Sequence, residues 1–551
     1  MTAELSGTTE LVPAVEPADR TIVIPRAREA VADRTRSGVP IREEPAPPPP
    51  RRRVLGGEGL LAVGLTVLSL LVIGINISGY PMVNDDEGTY LAQAWAVAHG
   101  QGLAHYTYWY DHPPLAWIQL AGLSWLPGLA GSDGSTVATT GRAAMLPVVG
   151  VVLLLVYVIC RRLGMTVWAS AAALVAFGLS PLTVTMYRGV YLDTFAVVWM
   201  LGALALVLSP HRDLWHFTAA GAATAVAVLS KETILVTLPA VVLALWQHTS
   251  RSSTRSWAAG GYLSGLSLVG VFYPLYALLR GELFPGAGHV SLIGAWEFQL
   301  GSRAGSGSVF TAGSIANDLV RSWLDHDAFL LAGGLVATVA CLLVRRLRPP
   351  AVAGAILVLV ACRPSGHLPV MYVVQVLPFF AIAVGGALDL TIRFASARRR
   401  WARPAVLAVL ALLAATLIAP RWYTGNRVAL TANYHSGYVA AAEYLRHRVP
   451  DPANTTIVLD DVLWLECVDA GYRPEKAIWF YKLDLDPAVA ARLPNGWRDV
   501  DYVVSTPALR GDSATLPAVN ALLTHSTLAA GFGEGEGRIE IRRITDPTET
   551  S

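Results

Sequence analysis

LLAVGLTVLSLLVIGINI, from Leu60 to Ile77, is followed eight residues later by Asp85-Asp86-Glu87-Gly88-Thr89-Tyr90. An uncharged run of this length suffices for a helix across a bilayer core, at ~1.5 Å per residue. Carboxylates crowded at its exit suit an enzyme that takes a substrate from the lipid and deprotonates a hydroxyl. Upstream, residues 1–53 are rich in Pro, Arg, Glu and Ala and close with Pro47 to Pro50 and Arg51 to Arg53. That composition predicts a disordered cytoplasmic tail. It is too long and polar for a secretory leader, and Leu60 to Ile77 carries no convincing cleavage site, so the helix is expected to be retained.

The apolar run recurs along the chain. Of 551 residues, 53% are apolar and 15% charged, more apolar surface than a soluble fold of this size can hide. Windows of spanning length fall at 56–77, 142–160, 166–185, 193–209, 214–230, 232–248, 257–279, 328–345, 350–363, 368–390 and 403–420, the ninth being short. Arg51 to Arg53, Arg161-Arg162, Arg212, Arg251 with Arg255, Arg345 to Arg348, and Arg393 with Arg398 to Arg403 lie in alternate loops. Those loops are cytoplasmic by the positive-inside rule, which puts the acidic triplet and the C-terminus outside. The chain therefore reads as an α-helical polytopic membrane protein of about eleven spans, with residues 54–420 as its membrane domain. Only Lys231, Lys476 and Lys482 are lysines. This Arg-for-Lys bias, with abundant Ala and Val, suggests a GC-rich bacterium and hence its plasma membrane.

Hydropathy falls after Pro420. Ser436 to Val449 has an amphipathic period through Val439, Ala442 and Leu445, and Thr456 to Leu459, Tyr502 to Ser505 and Arg538 to Ile544 read as strands. Residues 421–551 are thus expected to form a small extracytoplasmic α/β domain. A net charge of +2 and the lack of a basic, aromatic-interleaved stripe give no sign of a nucleic-acid partner. Cys160, Cys341, Cys362 and Cys467 stand far apart and imply neither disulfides nor a zinc motif.

The acidic triplet has two readings, a solvated turn or a site. Gly88 to His99 continues with Tyr90, Leu91, Ala94 and Trp95 at helical spacing, as in an amphipathic helix lying on the membrane. A helix N-terminus favours carboxylates through its dipole. A second cluster, Tyr106, Tyr108, Trp109, Tyr110, Asp111, His112, Pro113, Pro114, is either an aromatic belt or a rigid loop whose prolines aim Asp111 and His112. Asp193, with Arg188 and Tyr191 near it, stands between two apolar runs: a buried ion pair or a cavity-facing acid. Lys231-Glu232 occupies a tight apolar hairpin, as an ion-paired tip or a phosphate ligand. Arg363, His367 and Tyr372 form a comparable set before the tenth span.

These residues, in this order, resemble the lipid-carrier-dependent glycosyltransferases of the GT-C class, in the bacterial branch related to protein O-mannosyltransferases and aminoarabinose lipid A transferases. The family's Asp-Glu-x-x-Tyr motif is matched by Asp86-Glu87-Gly88-Thr89-Tyr90, and its His-Pro-Pro-Leu motif by His112-Pro113-Pro114-Leu115. Asp193-Thr194-Phe195 and the segment Tyr372 to Pro378 match two further features. The resemblance covers residues 55 to about 420. Thr89 stands where some relatives carry Arg, and His112 agrees with the mannosyltransferases rather than the aminoarabinose transferases, which have Lys.

The resemblance implies transfer of one sugar from a polyprenyl-phosphate donor to an acceptor hydroxyl on the outer face, with inversion and with Asp86 as general base. Glu87 and Asp193 would orient hydroxyls, Asp111 and His112 would bound the sugar pocket beside Tyr90, and Tyr372 would contribute to substrate binding. Arg188, Lys231, Arg363 and His367 are candidate phosphate donors. The acceptor is left open among protein, glycolipid and cell-wall glycan. No cofactor is implied with certainty; a divalent metal on Asp111, His112 or Glu87 is admitted, although no spacing demands one. A lipid or sugar transporter would also hold charges at membrane depth, but matched halves and Gly/Pro-broken helices are missing from the sequence.

Overall fold

All eleven apolar windows meet apolar helices in the computed structural model, which describes residues 56–123, 136–249, 252–364, 366–398 and 402–545; the expected tail lies outside these. Among the described residues, six helices are long and apolar enough to cross a membrane: Gly57–Gly74, Val137–Arg162, Arg255–Leu279, Ile315–Leu342, Tyr372–Ala397 and Pro404–Arg448. Five shorter apolar segments, Val167–Gly178, Leu192–Val207, Leu214–Ser230, Glu232–His248 and Arg348–Ala361, fill the remaining windows.

Three boundaries depart from the hydropathy reading, each for a local reason. The second helix begins at Val137, before the expected 142, because Thr136 caps it and its polar Arg142 is paired inside the protein. The helix expected from 328 begins at Ile315, since its first half is amphipathic and polar. It kinks at Asp327, whose carboxylate accepts the Ser180 hydroxyl at 2.6 Å and the Leu330 N–H at 3.0 Å. The last apolar helix runs through a π-helical segment, Ala414–Ile418, and on to Thr431.

The helix ends and loops that carry Arg161, Arg212, Arg346 and Arg393 meet at one end of the bundle. There Arg346 Nη1 donates to the carbonyls of Leu163 (3.3 Å) and Gly164 (2.9 Å), and Arg393 Nη2 donates to Gly164 at 2.7 Å. The acidic clusters gather at the other end, beneath the C-terminal region. That region holds a five-stranded sheet in the order β2-β1-β3-β5-β4. Its strands are β1 (Ile457–Leu459), β2 (Ala477–Trp479), β3 (Tyr502–Ser505), β4 (Ser526–Phe532) and β5 (Ile539–Ile544), parallel among the first three and antiparallel beyond. The three expected strands correspond to β1, β3 and β5. The expected helix forms over Ser436–Arg448, with Ala442 and Leu445 buried and Val439 turned outward.

The sheet domain does not close its core alone. Val83, Ala92, Tyr106 and Ala138, all from the membrane part, belong to the same apolar cluster as Ile457, Trp464 and Val503. The tightest approach is at Gly88. A Cβ there would stand 2.3 Å from the Asp461 carbonyl oxygen and 2.7 Å from the Val462 nitrogen, both backbone atoms that cannot yield. We expect Gly88→Ala to destabilise the protein by at least the ~1–3 kcal/mol of an overpacked core. Proteolytic opening of the link near Tyr434, measured beside the thermal midpoint, checks this.

Candidate active site

The first acidic cluster forms the opening turn of the helix Asp85–Ala98. Asn84 starts it with a capping box: its Oδ1 accepts the Asp86 N–H at 2.9 Å, and its own N–H donates to Glu87 Oε1 at 3.2 Å. The three acids then diverge with helical rotation. Asp85 is exposed, Asp86 half-buried, and Glu87 fully buried.

Glu87 is gripped by a forked guanidinium. Arg142 Nε reaches Oε2 at 2.8 Å and Nη2 reaches Oε1 at 2.7 Å, while the Val190 N–H donates to Oε2 at 2.9 Å. Arg142 Nη1 also holds the carbonyls of Ile77 and Pro81, at 3.0 and 2.9 Å. Burial pushes the Glu87 carboxyl up, and the Arg142 guanidinium outweighs it, so the group titrates below its ordinary range. Both Glu87 oxygens are occupied, which makes it the anchor of the acidic turn. Asp86 has no ion pair among the described residues; its Oδ1 lies 3.5 Å from the Tyr90 hydroxyl.

The second cluster is held by its own aromatic residues. Tyr110 has φ 59°, a left-handed conformation that a bulky side chain adopts only when its surroundings enforce it. Here the enforcement is a hydrogen bond from its hydroxyl to Glu282 at 2.7 Å. Tyr108 donates to the His112 carbonyl at 2.5 Å and meets the Tyr273 hydroxyl at 2.8 Å. The loop thereby points the His112 ring at Lys231 and Glu232. His112 Nε2 stands 2.8 Å from Lys231 Nζ, and Nδ1 stands 3.2 Å from both Glu232 oxygens. The contacts fix the tautomer: Nδ1–H donates to the carboxylate and Nε2 accepts from the ammonium.

Asp193 completes the basin. Gln375 Nε2 donates to its Oδ1 at 2.5 Å and to the Thr233 hydroxyl at 2.6 Å, while Oδ2 is buried with no partner among the described residues. Tyr90 sits at the centre. Burial pushes its phenol well up, and Asp86, Asp193, Asp111 and Glu232 add to that from around it. Asp86, Tyr90, Asp111, His112, Asp193 and Lys231 thus come together in one basin.

Four expected residues stand around this group with other partners. Arg188 spends its Nη1 on the carbonyls of Tyr80 (3.2 Å) and Ala429 (2.7 Å), and its Nη2 on those of Val72 (3.0 Å) and Ile75 (2.7 Å). These four bonds staple backbone, while its buried Nε has no partner among the described residues. Tyr372 is buried and donates to the Leu357 carbonyl at 3.1 Å. Arg363 and His367 are exposed, with Asp86 and Lys231 within electrostatic reach of His367. Sequence reading passed over Arg142, which lay inside an apolar window, and Gln375, a neutral residue in another. It also left Glu232 as a mere neighbour of Lys231.

The C-terminal domain touches the site directly. The Thr89 hydroxyl donates to Asp461 Oδ2, Tyr106 donates to the Ala477 carbonyl at 2.9 Å, and Thr107 donates to Asp486 at 3.2 Å. Lys482 Nζ lies 3.4 Å from the centre of the Trp109 ring and 3.7 Å from Asp486. Burial brings that ammonium down to about 8, against the pull of Asp486 and Asp111. Although Asp85 keeps an exposed edge, burial of its carboxyl, and then the charges of Asp460, Asp86 and Asp512, push it up to about 7. Among the described residues no three His, Cys, Asp or Glu side chains converge as a metal site requires.

Known proteins resemble part of this sequence and the whole of this fold. Residues 111–274 match the family model described as dolichyl-phosphate-mannose-protein mannosyltransferase. The ArnT structure from Cupriavidus metallidurans bound to undecaprenyl phosphate superposes with a TM-score of 0.54 at 17% identity, over 89% of this chain and 99% of that one. Its apo form gives 0.53 at 18%, over 87% and 97%. The apo oligosaccharyltransferase of Archaeoglobus fulgidus gives 0.50 at 14%, over 84% and 71%. No curated protein matches the chain by sequence. Residues 111–274 are thus similar to the mannosyltransferase family, and the chain as a whole shares its fold with ArnT.

Proposed function

We propose that the protein moves one sugar from a polyprenyl phosphate to an acceptor hydroxyl, with Asp86 as the general base. The observation that carries this is the division of labour in the acidic turn: Glu87 is locked to Arg142, which leaves Asp86 unpaired on the basin side, beside Tyr90. The acceptor oxygen attacks the anomeric carbon as its proton passes to Asp86. The bond from that carbon to the phosphate oxygen breaks in the same step, so the anomeric configuration inverts and no covalent intermediate forms. Polyprenyl phosphate leaves as an anion, which needs positive charge rather than a proton.

Lys231, oriented by His112 and Glu232, is the cation we assign to that phosphate. Asp193, with one carboxylate oxygen unpartnered, takes a sugar hydroxyl. The undecaprenyl phosphate bound by the ArnT of similar fold supports this choice of donor. The N-terminus faces the cytoplasm and the catalytic basin the outside of a bacterial plasma membrane, as the arginine distribution argues.

Purified protein incubated with a panel of labelled polyprenyl-phosphate sugars, followed for release of free polyprenyl phosphate, tests the reading. Release from one donor that requires Asp86 supports it. No release from any donor, with an envelope fraction supplied as acceptor, removes it. Lys231→Ala is expected to raise the donor KM more than it lowers kcat. An unchanged donor KM would return Lys231 to a purely structural ion pair.

A further inference from the structure

The end of the bundle away from the acidic basin is concave and basic. A hollow of about 860 Å³ opens there, with Arg161, Arg162, Arg212 and His248 in its wall. A second hollow of about 310 Å³ shares Arg162 and His248 with the first and adds Arg345 and Arg346. Membrane orientation asks only that such loops be basic. It does not ask that guanidiniums from separate loops converge on one concavity.

Some of this charge is already spent. Arg161 pairs with Glu58 at 3.2 Å, and Arg346 pairs with Asp389 at 2.6 Å. Arg212 and Arg345 are exposed and have neither a hydrogen bond nor an ion pair among the described residues. Arg212 lines the larger hollow beside Val158 and Leu208, Arg345 lines the smaller beside Leu163 and Ala244, and Leu208 borders both.

The depth of the hollows in the membrane is marked independently. Trp168, Trp215, Trp246 and Trp257 are 70%, 60%, 59% and 73% exposed, and each stands near the end of its helix on this side. Exposed tryptophans at helix ends mark the headgroup level of a bilayer. A basic, partly apolar hollow at that depth offers a phosphate ligands and a glycerol backbone a wall. We propose that it binds the phosphate headgroup of an anionic phospholipid, in the leaflet opposite the catalytic basin.

The test needs no sugar donor, so its outcome is independent of the glycosyltransfer reading. Full-length protein in neutral detergent with phosphatidylcholine is titrated with phosphatidylglycerol or with inorganic phosphate. The thermal midpoint and the lipid retained in native mass spectra are followed. Phosphatidylglycerol is expected to raise the midpoint and stay bound, where equal phosphate as the inorganic ion does neither. Arg212→Gln and Arg345→Gln should each weaken lipid binding about 5-fold, from ~1 kcal/mol per interfacial charge. Arg212→Lys, which keeps the charge, should retain most of it. Since neither arginine is bonded within the protein, the lipid-free midpoints should stay near that of the parent. The proposal is overturned if phosphatidylcholine serves equally, if the Gln variants bind as the parent does, or if inorganic phosphate stabilises as well as the lipid.

Discussion

Asp86→Asn is expected to lower turnover by ~10²–10⁴-fold, the usual contribution of a positioned general base. Donor KM should change little, because the substitution keeps the side chain's shape and leaves Lys231 untouched. The fold should survive too. The cap bond at this position runs to the Asp86 backbone N–H, not to its carboxylate. Steady-state kinetics on a donor identified from the panel, with the thermal midpoint measured in parallel, separates the two effects. Near-normal turnover would move the role of base to Asp193, a basin carboxylate with a buried, unpartnered oxygen.

Arg142→Met should act the opposite way and fail in stability first. It would leave Glu87 charged, fully buried and facing only the Val190 N–H and the Asn84 N–H. Removing one partner of such a pair costs ~3–5 kcal/mol, since the remaining charge has lost its compensation. Two more bonds go with it, to the Ile77 and Pro81 carbonyls that shape the chain's entry into the acidic turn. Denaturation in detergent should show the loss, and Arg142→Met/Glu87→Met should recover much of it. If the single variant were as stable as its parent, the pair would not anchor the acidic turn.

What the sequence revealed was what depends on composition and local order. Apolar length located the helices, and loop arginines told the two ends of the bundle apart. The two motifs, Asp86 to Tyr90 and His112 to Leu115, lie on segments that border the same basin. What stayed hidden depends on contacts between distant segments. Nothing near Arg142 announces Glu87, 55 residues away, and nothing near Arg188 announces four carbonyls drawn from two helix ends and the turn at Tyr80. Helix ends shifted for a similar reason. A polar first turn such as that of Val137–Arg162 becomes helical once its arginine is paired, which hydropathy does not register. Strand β4 was missed because it is built largely of small residues, and β2, Ala477–Trp479, lacks the β-branched run that marks the equally short β1.

The close approach of Gly88 to Asp461 constrains how such a protein can change. The helix that presents Asp86 is also a wall of the C-terminal domain, pressed backbone to backbone with no side chain to absorb a misfit. A C-terminal domain grafted from a relative would meet a surface cut for another partner. It would tilt the acidic turn before any substrate arrived. The two regions are therefore a single hereditary unit, and recombination that respects it must carry the stretch from Val83 to Tyr106 along with the sheet.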